Sequence, residues 1–172
     1  MAADIGMLIL RVFVGLQVAS HGAQKVLGWF GGPGPEGTGA YFESLGFRPG
    51  RQFAVAAGAS EMAGGLLLVL GFLTPLAAAI VVGVMLTAIA TVHANKGFFV
   101  TEGGFELPLL LCVVALCVVF MGPGAVSLDG ALRFGLSGWL WGVLAAAVGV
   151  LGAVGALAAR GSVHRAGERI SV

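Results

Sequence analysis

Charge is what this chain of 172 residues has least of: 10% of its residues are Asp, Glu, Lys or Arg, where a soluble chain carries about a quarter. That scarcity excludes a disordered chain, which keeps charge and lacks apolar residues, and it excludes an ordinary soluble domain. Nine Lys and Arg stand against eight Asp and Glu, a net charge of +1. No basic surface is available for phosphates, and no nucleic-acid partner is expected. Cysteine is nearly missing. Cys112 and Cys117 lie five apart in one apolar run, separated by about 140° on a helix, so one helix cannot pair them and they read as small apolar residues. Haem-attachment motifs, iron–sulfur cysteine sets and flavin fingerprints are lacking. So is any HxxxH spacing, and no metal centre is expected.

Apolar residues fill the space that charge leaves. They make up 58% of the chain, beside 30 glycines, and the mean hydropathy is +1.01. Five apolar runs stand out, at about 5–27, 53–73, 76–95, 105–121 and 137–159. Backbone groups in lipid must bond within their own segment, and these runs are too long for barrel strands. The expected fold is an all-α membrane protein: a four-helix transmembrane bundle in residues 1–130, a fifth C-terminal transmembrane helix in 131–160 and a basic cytoplasmic tail in 161–172. The start, MAADIGMLILRVFVG, has Asp4 where a signal peptide has cations and Arg11 inside the apolar run, so it is expected to stay as the first span.

Alternating spans put Lys25, Arg48, Arg51, Lys96, Arg160, Arg165 and Arg169 at one membrane side and only Arg133 at the other. By the positive-inside rule the N-terminus is expected outside and the C-terminus in the cytoplasm of a bacterial cell. The connector 28–52 contains GxGxxG at Gly32, Gly34 and Gly37. A membrane helix precedes the match and prolines interrupt it, so it is not a dinucleotide fingerprint. A tight turn and a short interfacial helix over about 37–45, stopped by Gly46, fit better.

Ionisable residues inside spans are costly, so their positions carry the functional information. Gln17, His21 and Lys25 follow at steps of four with Arg11 on the same sector, within about 120° of helix. Glu61 lies about 12 Å inside the second span. His93 and Lys96 end the third span, and Glu106 opens the fourth. Hairpin connectivity gathers His21, Lys25, Glu61, His93, Lys96 and Glu106 at one end of the bundle. Arg11 lies about 21 Å from Lys25 along the helix, positioned either to pair with Glu61 or to reach the outer surface. Trp29, Phe30, Phe98 and Phe99 read as an aromatic belt. In the fifth run Gly138, Gly142, Gly149, Gly152 and Ala156 form a small-residue face, suited to packing on the core or on another copy in a homo-oligomer.

The runs HGAQKVLGWFGGPGPEGTGAYFESLG, ASEMAGGLLLVLGFLT and TVHANKGFFVTEGGFELPLLL resemble the DoxX family of small bacterial membrane proteins in three separated motifs. The family pattern falls on Arg11, His21, Lys25, Glu61, His93, Lys96 and Glu106. The resemblance implies a four-helix membrane bundle and a link to redox chemistry, since relatives include the small membrane subunit of thiosulfate:quinone oxidoreductase. It implies partner redox proteins and gives no role to a fifth span.

Three readings follow. In the first, the chain is a subunit of a quinone-linked oxidoreductase and not a complete enzyme alone. Glu61, His21 and His93 are then the candidate catalytic groups, and Arg11, Gln17, Lys25, Lys96 and Glu106 the candidate ligand-binding ones. In the second, it is a non-catalytic anchor, scaffold or assembly factor whose polar cluster holds the bundle together. Transport is the third, weakened by the lack of an inverted repeat.

Overall fold

A computed structural model describes the backbone of residues 1–170 and the side chains of residues 1–160. The side chains of the basic tail expected in 161–172 lie outside the described residues. The helices are α1 Ala2–Val26, α2 Gly34–Ser44, α3 Gly50–Leu70, α4 Thr74–Ala88, α5 Glu106–Met121, α6 Leu128–Ala131 and α7 Trp139–Ile170. A π-helical turn, Ile89–His93, and a 3-10 turn, Ala94–Lys96, prolong α4. Strands are absent among the described residues. The protein is an all-α membrane protein.

Among the described residues four helical segments are long and apolar enough to cross a bilayer: α1, α3, α4 with its extension to Lys96, and α7 as far as Arg160. The expected fourth span is the short one. At 16 residues, α5 rises about 24 Å against a hydrocarbon core of about 30 Å. Its neighbours set the limit: the chain before it turns through Gly103 at φ +79°, and Gly122 at φ +91° ends it. Other boundaries shift by a few residues. The interfacial helix starts at Gly34 rather than 37, because Pro35 is preorganised for a first helical turn.

Helices α1, α3, α4 and α5 close a ring, α1 on α3, α3 on α4, α4 on α5 and α5 back on α1, while α7 packs outside against α4 and α5. Val18, Leu68, Ala77, Ala78, Val81, Val118 and Val119 are nearly inaccessible at its centre. Glycine lets α1 and α3 touch by their backbones. A Cβ on Gly15 would strike Gly65, one on Gly22 would strike Gly58, and the reverse holds for both. These pairs repeat every seven residues along the contact, the small-residue packing that membrane helices use where apolar burial gains nothing.

Two glycines of the small-residue face of α7, Gly142 and Gly149, turn inward, while a Cβ on Gly152 would meet nothing within 4 Å. The Phe120 ring occupies the space beside Gly142, and Val82 and Ala79 press on Gly149. Gly138 precedes the helix at φ +94°, so the GxxxG at 138–142 does not form one helical face.

At the end where α3 meets α4, two buried charges close the turn. Phe72 N bonds Leu67 O at 3.0 Å and Gly71 N bonds Leu68 O at 3.1 Å, a Schellman stop with Gly71 left-handed at φ +59°. Arg11, wholly buried, donates to the last carbonyls, Leu68 O at 3.2 Å and Val69 O at 3.0 Å, and to Val126 O. Asp129 on α6 caps the next helix from 55 residues away: its carboxylate accepts from Leu73 N at 2.8 Å, Thr74 N at 2.8 Å and Thr74 Oγ1 at 2.6 Å. A cation at a helix C-terminus and an anion at the following N-terminus both oppose the local helix dipoles.

Candidate functional site

At the opposite end α2 folds back over the start of α3. Arg51 Nε donates to Glu36 Oε1 at 3.0 Å, and Gly50 N donates to Glu43 Oε1 at 3.1 Å. The Arg51 guanidinium holds the exposed Glu36 carboxyl below its usual range. The rings of Phe42, Phe47 and Phe53 stand in series, 5.8 and 5.3 Å apart. A cavity of about 810 Å³ lies beneath this cover, between α1, α2, α3, α4 and α7.

Glu61 lines the cavity and is 2% exposed. Lys25 Nζ bonds both of its carboxylate oxygens. The glycine contact explains the pairing. Gly22 and Gly58 stand three residues before Lys25 and Glu61, and a Cβ on Gly58 would lie 3.0 Å from Lys25 Cβ. The helices are therefore close enough for Lys25 to reach across to Glu61. His21, one turn before Lys25, lines the same cavity half-buried.

His93 closes the cavity from the π-turn of α4, a distortion that recurs at functional sites. Its Nδ1 lies 2.6 Å from Gly103 O. A carbonyl only accepts, so Nδ1 carries a proton and donates it to Gly103 O. Thr38 on α2 is 4% exposed, lines the cavity, and its hydroxyl has no hydrogen-bond partner. Nothing in the sequence pattern singled it out. The sequence could have raised Thr38 only as a polar residue on the inner side of a covering helix.

Four of the eight sequence candidates meet here: His21, Lys25, Glu61 and His93. The other four do not line the cavity. Arg11 binds backbone at the far end and does not pair with Glu61. Gln17 is half-buried on α1. Lys96 is exposed, and Glu106 accepts from Val100 N at 2.9 Å, tying down the loop before α5. Cys112 is buried, Cys117 exposed, and both are free.

The DoxX family pattern matches residues 6–94, slightly more than half of the sequence and all of the segment carrying His21, Lys25, Glu61 and His93. The chain belongs to the DoxX family. Among similar DoxX-like membrane proteins is Inner membrane protein YqjF of Escherichia coli, 30% identical over 130 residues that cover 76% of this chain and 94% of that one. Another is the Bacillus subtilis protein named "Putative oxidoreductase CatD", 29% identical over 126 residues, 73% of this chain and 86% of that one. An uncharacterized Haemophilus influenzae protein is 36% identical over 127 residues, 70% and 85% of the two chains. No solved structure matches the chain. The family and its apolar helices make this DoxX protein a multi-pass bacterial membrane protein in contact with lipid.

Proposed function

We propose that the cavity binds a quinone head group and that the chain serves as the membrane subunit of an oxidoreductase complex linked to quinone and thiol chemistry. One observation carries the reading: a largely apolar cavity on which His21, His93 and the Lys25–Glu61 pair converge. Apolar walls with a few placed polar groups are the usual make-up of a small-molecule site. The residues fit the group. A quinone carbonyl needs donors, and Thr38 has a buried hydroxyl to offer while His21 supplies ring nitrogens. Bound there, the quinone would supply two-electron, two-proton acceptor chemistry. Glu61 and His21 hold and pass protons at the cavity wall. Lys25 keeps the Glu61 carboxylate compensated, and the aromatic cover of Phe42 and Phe47 limits water. Electrons come from a partner redox protein, since the sequence carries no cofactor motif of its own. The name of the Bacillus subtilis relative favours the same direction.

The test is the thermal stability of wild type and Glu61→Gln in mild detergent, with and without a soluble benzoquinone analogue. A ligand stabilises only a state that binds it. The wild type should melt higher with the analogue, and Glu61→Gln should stay folded with a smaller shift. No shift in either protein overturns the quinone reading in favour of a membrane anchor or scaffold.

A further inference from the structure

The cavity is longer than a head group requires. Its lining follows α4 from His93 to Leu76, about 25 Å of helix, most of a hydrocarbon core of about 30 Å. Its histidines, Lys25 and Glu61 border only part of that length. Farther along α4 the walls are Leu76, Ala79, Ile80 and Gly83, faced by Val148 and Gly152 of α7. Among the described residues α3 and α7 both pack on α4 and scarcely touch one another, which leaves a strip of α4 as the floor of a groove. Gly152 opens onto it, since a Cβ there would meet nothing within 4 Å. At the polar end the lining also offers His21, Gln24 and Ser60, half-buried, and the exposed Tyr41. Lys25 is committed to Glu61, and His93 Nδ1–H to Gly103 O. Thr38, 4% exposed in the cavity wall with an unpartnered hydroxyl, is the buried donor left over.

We infer that the groove holds the apolar tail of a single-tailed quinone, and that Thr38 donates its hydroxyl proton to a carbonyl oxygen of the head. The inference rests on the quinone reading above and deepens it: the ligand enters from the bilayer along α4, and its tail contributes to binding. One cavity joins the polar end to the apolar strip, so a molecule with one polar head and one chain fits both parts. The small residue at Gly152, where a Cβ would meet nothing within 4 Å, leaves the width that the tail occupies.

The experiment uses the full chain in nanodiscs of phosphatidylcholine, with two probes: a benzoquinone without a tail and the same head with a decyl tail. Binding is measured at fixed mole fraction of probe for wild type, Gly152→Leu and Thr38→Val, with melting curves confirming that each is folded. Partition into lipid is common to all three proteins and cancels in their comparison. Gly152→Leu should bind the decyl probe about tenfold more weakly, the cost of displacing two or so methylenes, and bind the tail-less probe as wild type does. Thr38→Val should weaken both probes alike, by about tenfold. If Gly152→Leu binds the decyl probe as tightly as wild type, the tail does not lie in the groove and the inference falls while the quinone reading stands. If neither probe binds wild type, the quinone reading falls and takes the inference with it. If a decyl-tailed phosphocholine binds wild type in preference to the decyl quinone and loses its site in Gly152→Leu, the groove belongs to phospholipid and the inference is overturned.

Discussion

Glu61 and Arg11 are both charged residues deep in apolar helices, and the structure separates their work. Arg11 is consumed by three backbone carbonyls at the closed end, whereas Glu61 faces a cavity with Lys25 as its counter-ion. Helical spacing put Arg11 and His21 on one sector of α1. Helical rise set Arg11 well away from Lys25 but could not decide between Glu61 and the far surface, because that depends on its neighbours from α3 and the 124–132 segment. Glu61 was legible as a carboxylate needing a cation on the polar face of α1, with Arg11, His21 and Lys25 all open as partners, and the structure selects Lys25. Asp129 was not legible, because its partners at Leu73 and Thr74 are distant in sequence and its own neighbourhood looks like a loop. The pair itself is testable. Removing one partner of a buried ion pair leaves a charge uncompensated and costs about 3–5 kcal/mol. Lys25→Met should therefore lower the melting temperature more than the double variant Lys25→Met with Glu61→Gln, in which no charge is stranded. Equal losses in thermal melts of the single and double variants would mean that Glu61 is not left as a stranded charge when Lys25 is removed.

Helix length and apolar pattern foretold the elements well, and glycine chemistry decided what pattern alone could not. A hydropathy reading treats Gly15, Gly22, Gly58 and Gly65 as permissive positions in two apolar runs. The structure makes them the surface on which α1 and α3 meet, and the Lys25–Glu61 bridge depends on that approach. On α7 the same residue type has opposite roles at neighbouring turns. A Cβ on Gly149 would lie 2.7 Å from Val82 Cβ, while Gly155 faces open space. Gly149→Ala should thus be destabilised by about 1–3 kcal/mol through overpacking. Gly155→Ala should gain about 0.5–1 kcal/mol from reduced backbone freedom. Thermal melts of the two variants in one detergent check the sign. A Gly149→Ala protein as stable as wild type would show that α7 is not seated on α4 as described.

At the scale of the whole molecule the two ends are chemically different, and their contacts are independent of any count of spans. Arg160 near the end of the described part of α7 stands 6.0 Å over the Phe47 ring, which places it beside α2 and the start of α3. Gly138, just before α7, bonds Val119 O at 3.0 Å near the end of α5, and the α6 turn docks on the α3–α4 corner through Asp129. Arg48, Arg51, Lys96 and Arg160 therefore share the cavity end, and Arg133 belongs to the other. The length of α5, short for a span, does not alter this assignment. Lys25 adds little to the charge asymmetry because Glu61 holds it. With Arg48, Arg51, Lys96 and Arg160 at the cavity end against Arg133 at the other, we propose that the cavity faces the cytoplasmic side. Reporter fusions check it in one experiment: a fusion at the C-terminus should read cytoplasmic, and one inserted in 124–132 should read external. The reverse pair of readings would place the cavity, and any proton it takes up, on the outer side. The same reading from both fusions would mean that α7 does not cross, and the groove along α4 would then have to open to water rather than lipid.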